Sequence, residues 1–446
     1  MLEGSKETIY ALSTPAGRGG VAVIRVSGPD AKMSLPMLGV DRDPKPRVAM
    51  RAGLKRAADD APIDDALILF FPGPASFTGE DVVEFHLHGG MAIIDAVQAV
   101  LSEIRGFRLA QPGEFTRRAF WNGKVDLVEA EGLVDLIEAE TEAQRVQALR
   151  QLKGSLSSLY GGWQKALADQ LALIELGLDF SDEGDVDEAD SGLDREKMET
   201  IRQEMETHLD DGHRGEIIRN GIKVAIIGAP NVGKSTLLNA LAGRDAAIVS
   251  DIAGTTRDRV DVLLNLQGQA VVLTDTAGLR DSDDLIEQEG IRRSLKAAAE
   301  ADIVLLMGEY GAPESVPSLE GDGAKAIVVW NKADLMTDRT ANGSSRLEGI
   351  CISARTGEGM TALEEALADE VRMLALQSEA PMLTRARHRE AVTVAVTRLG
   401  EALREPDTVL VAEHLRSTVA ALGRIIGKVD VEDLLDRIFR DFCIGK

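Results

Sequence analysis

Several short stretches in the middle of the chain carry residue types suited to phosphate and base chemistry. "GAPNVGKST" (228–236) fits the spacing G-x-x-x-x-G-K-[ST]. Gly228 and Gly233 permit a tight loop whose backbone N–H groups face phosphate oxygens, and a following helix adds its positive end. Lys234 has the reach for β- and γ-phosphates, and the Ser235 hydroxyl suits Mg²⁺. Asn231, Val232 and Thr236 complete this predicted contact loop. A chance glycine-rich turn would not be preceded by the apolar strand pattern "IKVAIIG" (222–228) and followed by a helical pattern over 234–243.

The base is legible too. "NKAD" (331–334) follows the apolar run "AIVVW". The Asp334 carboxylate can accept both guanine donors, N1–H and N2–H₂, a pair that adenine lacks. A wrong base would leave that charge unsatisfied. Lys332 can lay its alkyl stem along the base, with Asn331 beside it. In "SAR" (353–355), Ser353, Ala354 and Arg355 stand at another predicted strand end, where the Ala354 N–H could donate to guanine O6. NKAD alone could be a helix cap; with the phosphate loop upstream and SAR downstream, the combination implies GTP.

"DTAG" supplies Asp275 for the Mg²⁺ shell and Gly278 to sense the γ-phosphate, with Thr276 and Ala277 between them. "DIAGTTRD" (251–258) reads as a loop ordered by the γ-phosphate and released on hydrolysis. Its contact residues are Ser250, Asp251, Ile252, Ala253, Gly254, Thr255 and Thr256, with a threonine, Thr256, completing the Mg²⁺ shell. Leu279 stands where many regulatory GTPases carry a glutamine that orients the attacking water. An apolar side chain cannot do so. Either hydrolysis is slow or another residue positions the water.

Positioning these motifs requires a parallel α/β sheet. "IKVAIIG", "QAVVLTD", "ADIVLLM", "AKAIVVWN" and "GICISA" read as strands, alternating with helical patterns at 234–243, 286–300 and 360–375. The motifs fall at the carboxyl ends of these strands, where such sheets bind ligands. Residues 125–176 and 382–440 repeat apolar residues at helical spacing, and both flank the α/β unit. Residues 1–120 hold apolar runs between Gly/Pro-rich turns, the pattern of a mixed α+β domain. The fold class read from this is an α/β P-loop GTPase domain (218–375) inserted in an all-α helical domain (121–217 and 376–446). An α+β domain (1–120) precedes both.

The chain has 446 residues, a 44% apolar share, a formal net charge of −24 and a pI near 4.8. Such acidity argues against tight unaided binding of nucleic acid, which gains its strength from cations that neutralise phosphates. No apolar run approaches the ~20 residues needed to cross a bilayer, and no secretion signal is evident. The expected location is the cytoplasm. Two cysteines, Cys351 and Cys443, cannot build a disulfide framework. The acidic stretch 179–194 lacks EF-hand spacing and reads as a solvated loop. Residues 308–323 lack the Asp-ended strand expected there, which predicts a changed loop shape and nothing at the nucleotide.

Longer runs extend beyond a generic GTPase. "GAPNVGKSTLLNALAGRDAAIVSDIAGTTRD" with "DTAGLRD", "TPAGRGGVAVIRVSG", "FTGEDVVEFHLHGG", "QPGEFTRRAFWNGKVDL" and a terminal "FCIGK" closely resemble the MnmE (TrmE) family of tRNA-modification GTPases. The resemblance implies an N-terminal folate-binding and dimerisation domain. It implies addition of a carboxymethylaminomethyl or aminomethyl group to C5 of the wobble uridine (U34) of certain tRNAs. The one-carbon unit would come from 5-formyl- or 5,10-methylene-tetrahydrofolate. A homodimer joins the FAD-containing partner MnmG in a heterotetramer, and the partner presents most of the tRNA.

The resemblance also implies that GTP hydrolysis depends on K⁺ and on two G domains meeting face to face. The matching K⁺ ligands are Asn231, Ser250, Thr255 and, through its carbonyl, Ile252; Glu287 aligns with the family's water-orienting glutamate. On its own spacing, Glu287 reads as a solvated first-turn helix residue. Folate contacts fall on Arg25, Glu84, Lys124 and Lys446, and Cys443 is a catalytic or positioning thiol or a merely packed cysteine. His86 and His88 share one strand face with no third metal ligand apparent, so structural or pocket-lining roles are expected. The alternative is an Era- or Der-type ribosome-assembly GTPase. Era needs a terminal KH module with a G-x-x-G loop, and Der a second G domain; neither is visible.

Overall fold

The computed structural model describes residues 7–179, 193–243, 261–275, 296–312, 316, 325–335, 348–375, 380–429, 432–440, 442 and 445. These divide into two compact units. One comprises Met1–Val134, Ser157–Ala172 and Arg416–Lys446, the other Asp135–Leu156 and Leu173–Leu415.

The first unit is built on a six-stranded sheet. Its strands are β1 (Thr8–Leu12), β2 (Gly19–Ser27), β3 (Met50–Lys55), β4 (Pro62–Phe71), β5 (Val82–Gly89) and β6 (Phe107–Leu109), in the order β3-β4-β5-β2-β1-β6. All pairs are antiparallel except β1 with β6. Period-two alternation explains the two faces. Ile24, Val26, Val83, Phe85 and Leu87 point into a core shared with Ile94, Val97 and Leu101 of α2 (Met91–Ser102), α1 being the short turn Ser34–Met37. The alternate phase places Arg25, Glu84 and His86 on the opposite face, beside Ile9, Ala11 and Phe115, the last from α3 (Glu114–Trp121). Within this unit Leu435 and Phe439 of α13 (Glu432–Arg440), with Phe442, pack on Leu127 and Ala130 at the start of α4 (Leu127–Glu138).

The second unit holds β7 (Ile222–Gly228), β8 (Asp261–Leu266), β9 (Gln269–Asp275), β10 (Ile303–Glu309), β11 (Lys325–Asn331) and β12 (Ile350–Cys351), ordered β12-β11-β10-β7-β9-β8. The strands predicted from sequence form here in parallel register. The sheet nevertheless departs from the all-parallel expectation. β8 pairs antiparallel with β9 across a two-residue turn, Gln267–Gly268, in which both residues have positive φ (53° and 85°). Such a turn matches strand twist and closes a hairpin. Both faces of the sheet are covered, so its central strands are continuous apolar runs. Val224, Ile226, Leu305 and Val329 meet Leu237 and Leu241 of α9 (Lys234–Ala242) and Leu363, Leu367 and Val371 of α10 (Met360–Leu374). On the far side Ala225, Ile227, Val304 and Leu306 meet Ala297 and Ala298.

Helices of this unit anchor the chain where it enters and leaves the sheet. α5 (Glu142–Leu152) begins with a capping box, Thr141 and Gln144 satisfying each other's backbone. The Asp135 carboxylate, on α4, accepts from Arg219 Nε (2.8 Å) in α8 (Arg214–Asn220) and from Arg385 Nη2 (2.7 Å) before α11 (Ala386–Arg404). One carboxylate therefore fixes both crossings. α7 (Arg195–Leu209) packs on α11, and Arg195 Nη1 donates to the Leu403 carbonyl (2.7 Å). α6 (Ser155–Asp179) and α12 (Thr408–Ile426) complete the described helices used below. No helix among the described residues is long and apolar enough to cross a membrane.

Candidate guanine-nucleotide site

The loop between β7 and α9 takes the path its glycines allow. Gly233, at φ 99°, starts α9, and a Cβ there would lie 2.3 Å from Asn331 Nδ2, so no side chain fits. Asn231 stands exposed at the loop tip with φ 60°. Val232 is buried beneath it, and Ser235 and Thr236 are exposed on the first turn of α9. Lys234 Nζ donates to the Gly228 carbonyl (2.9 Å) and the Ala229 carbonyl (3.0 Å), which holds the ammonium over the loop.

At the base end, Asn331 is 3% exposed and acts as a brace. Its Nδ2 donates to the Val232 carbonyl (2.8 Å) in the phosphate loop, and its Oδ1 accepts the Ala354 N–H (3.0 Å). The Ala354 N–H, expected to face guanine O6, is thus engaged by Asn331; a bound base would share that donor. The NKAD motif puts Asn331 among the base contacts; its position between two loops comes from the parallel packing of β11 next to β10 and β12.

Asp334 is oriented from both sides. Ser353 Oγ donates to its Oδ1 (2.7 Å), and Arg355 Nη2 donates to its Oδ2 (2.7 Å). The Ser353 hydrogen bond, then Arg355, holds this carboxyl below the ordinary carboxylate range, so it is ionised at neutral pH. An oriented anion with both oxygens set in one plane suits paired N–H donors on a ring.

Lys332 shows what the sequence did not. It has φ 64°, and its Nζ binds Glu309 Oε2 at 2.9 Å. Glu309 ends β10, inside the stretch expected to alter loop shape only. That expectation is corrected: register pairing sets Glu309 beside Asn331, within reach of the base motif.

The backbone of Asp275 ends β9, paired alongside Ile226 of β7. The other predicted nucleotide and metal contacts, Ser250, Asp251, Ile252, Ala253, Gly254, Thr255, Thr256, Thr276, Ala277, Gly278 and Glu287, lie outside the described residues, as do Leu279 and most of the acidic stretch.

In the first unit, Arg25 and Glu84 face each other across β2 and β5, joined by an Arg25 Nε–Glu84 Oε1 bond of 2.9 Å. The guanidinium lies 5.6 Å from the Phe115 ring centre and 5.8 Å from that of Phe77. His86 Nε2 meets Glu84 Oε2 (3.3 Å), while His88 Nδ1 meets Asp64 Oδ1 (2.7 Å), so each histidine has a carboxylate partner. Lys124 is exposed in the turn after α3. Gly445 is docked: its carbonyl accepts from Ser13 Oγ (3.0 Å), and with φ 97° it lies so close that a Cβ would sit 2.0 Å from the Leu12 carbonyl. Cys443 and Lys446 lie outside the described residues.

Comparison with known proteins adds a second line. A family model described as the MnmE helical domain matches residues 127–443, and one described as the GTP-binding protein TrmE N-terminus matches residues 8–124. The tRNA modification GTPase MnmE of Parvibaculum lavamentivorans is 52% identical over 451 residues, covering 99% of this chain and 100% of that protein. Its namesake in Maricaulis maris is 50% identical, covering 98% and 99% respectively. That of Rhodospirillum rubrum is 47% identical, covering 99% of each.

Proposed function

Because the chain belongs to the MnmE family, we propose that it adds a carboxymethylaminomethyl or aminomethyl group to C5 of the wobble uridine of certain tRNAs. It is a GTPase acting in tRNA modification, with likeness to the family along nearly its whole length. The Era- or Der-type reading falls with that kinship. The observation that carries the nucleotide part is the ionised Asp334, gripped by Ser353 and Arg355 and braced to the phosphate loop through Asn331.

We assign three domains: 1–120 for folate and dimerisation, 121–217 with 376–446 as the helical domain, and 218–375 as the G domain. Ser235, exposed on the first turn of α9, suits Mg²⁺, with Thr256 as a further ligand and Asp275 in the metal's shell. The exposed Asn231 amide fits K⁺, with Ser250, Ile252 and Thr255 supplying the rest when two G domains close on each other. A cation there offsets charge that develops as the γ-phosphoryl group transfers. Glu287 orients the water in place of the missing glutamine. GTP turnover is therefore expected to rise by about tenfold or more in K⁺ over Na⁺, and Asn231→Ala to abolish the gain. Equal rates in both salts, measured by phosphate release, would sink this part.

The Arg25–Glu84 pair over Phe77 and Phe115 supports the folate reading. The Glu84 carboxylate suits the pterin N–H donors with Arg25 beside it, the exposed Phe77 ring suits the pterin face, and cations at Lys124 and Lys446 suit a glutamate tail. The bound folate would supply the one-carbon unit, 5-formyl- and 5,10-methylene-tetrahydrofolate being the two candidate forms. Cys443, two residues before Gly445 in sequence, is assigned as a positioning thiol for this site. A net charge of −24 fits a division of labour in which a flavin-carrying MnmG partner presents the tRNA. The test is nucleoside analysis of tRNA from cells lacking the gene and from cells carrying Arg25→Ala. Both are expected to lack the modified wobble uridine, while the purified variant keeps its GTPase. Normal tRNA in the deletion strain refutes the function; normal tRNA in the variant alone refutes the folate site.

A further inference from the structure

Glu309, the ion-pair partner of Lys332, belongs to no nucleotide-binding motif, and we propose that it is a positioning residue for guanine nucleotides, fixing Lys332 as the platform on which the base lies. The inference rests on reading Asn331–Asp334 as the base site.

The backbone of Glu309 is held from two directions. It ends β10 as the register partner of Asn331, and the next N–H, of Tyr310, donates to the Asn331 carbonyl (2.8 Å). Its own carbonyl accepts from Ala312 (3.0 Å) across a tight turn containing Gly311 at φ 92°. Asn331 is in turn tied to Val232 and Ala354, so the frame under Glu309 is shared with both nucleotide loops. Lys332 follows directly, and its Nζ binds the glutamate at 2.9 Å, with side-chain exposures of 30% for the lysine and 46% for the glutamate.

A pair this exposed adds little to folding stability. Its effect is on the lysine's freedom. A lysine side chain has many rotamers, and each flexible side chain immobilised on binding subtracts from affinity. Pinned to Glu309 beforehand, Lys332 loses that freedom during folding rather than on nucleotide binding. The pairing also neutralises the ammonium, leaving the alkyl stem as the surface offered to a base plane. Asn331 braces, Asp334 reads and Lys332 supports; Glu309 sets the last of these.

Titration of the full-length chain with fluorescent GDP and GTP analogues tests this. Glu309→Ala is expected to raise both dissociation constants by the same factor, about fivefold, because the platform touches the base and not the γ-phosphate. In steady-state assays the loss should fall in KM rather than kcat. In a Lys332→Met background Glu309→Ala should add nothing, since no ammonium remains to be pinned. Should the alanine variant unfold, Glu309→Gln keeps the shape without the charge and is expected to show a smaller loss of the same kind. Unchanged affinity, unequal effects on GDP and GTP, or additive losses in the double variant would overturn the proposal. Asp334→Ala run alongside separates the two levels. If it too is silent, the base-site reading fails; if it alone weakens binding, only the role of Glu309 does.

Discussion

Asp334→Asn is expected to weaken GDP and GTP binding by about a hundredfold or more and to improve binding of xanthosine nucleotides. Guanine presents two adjacent donors, N1–H and N2–H₂, to one carboxylate, and hydrogen bonds to a charged acceptor are the strong kind. An asparagine keeps one acceptor oxygen and turns the other position into a donor, which the 2-amino group of guanine opposes. Xanthine carries a carbonyl at that carbon, so the same amide becomes complementary. The wild-type preference relies on a carboxylate already ionised and aimed. Ser353 Oγ and Arg355 Nη2 supply this, each at 2.7 Å. Because these donors depress the Asp334 pKa, guanine affinity should stay level as pH falls from neutrality, and drop only below the ordinary carboxylate range. Competition titrations with GDP and XDP at several pH values give both results. A variant that bound GDP as tightly as the parent would remove Asp334 from the base site.

What the chain disclosed beforehand follows from how local each feature is. β7, the glycine loop and the start of α9 lie within 21 consecutive residues, and their pattern could be read directly because nothing distant shapes them. β5 likewise disclosed its two faces, since alternation alone puts Phe85 and Leu87 on one side and Glu84 and His86 on the other. Which strand lies opposite was not legible. That Arg25 meets Glu84 is a matter of register, set by the packing of the whole sheet. The same limit hid Glu309, whose partner sits 23 residues away on a neighbouring strand. β8 escaped because "DVLLNL" is a short apolar run next to a loop motif; the Gln267–Gly268 turn was the one local cue to its antiparallel pairing. Gly445 is the converse case: chain ends usually fray, the resemblance alone implies a docked end, and the partners of Gly445, Leu12 and the Ser13 hydroxyl, lie more than 400 residues away in sequence.

Arg118→Ala should destabilise the N-terminal sheet by about 3–5 kcal/mol, the cost of stripping one partner from a buried charge network. Arg118 is 2% exposed. Its Nη1 donates to the Glu7 carbonyl (3.0 Å) and to both oxygens of Glu80 (3.2 and 3.0 Å), and its Nη2 to Glu114 Oε1 (3.0 Å). Ser27 Oγ donates to the same Glu80 (2.8 Å), and Arg108 grips Glu114 with two nitrogens (2.7 and 2.6 Å). Truncation takes the Arg118 guanidinium from Glu80 and leaves Glu114, 8% exposed, to Arg108. An exposed pair such as Arg51–Asp65 offers the contrast, since Arg51→Ala there should leave protection almost unchanged. The effect also has a pH signature. Burial alone would raise the Glu114 pKa, but its bonds to Arg108 and Gln111 and the charge of Arg118 outweigh it and hold the carboxyl below its usual 4.5. A depressed carboxylate stabilises the fold above its unfolded pKa and loses that contribution as pH falls through the folded value. The gap between wild type and Arg118→Ala should therefore be widest at neutral pH and narrow below about 4.5. Hydrogen exchange over β1, β2 and β5 reads the loss locally, as protection lower by about two orders of magnitude or more. Equal protection in Arg118→Ala and Arg51→Ala would show the network to be without structural weight.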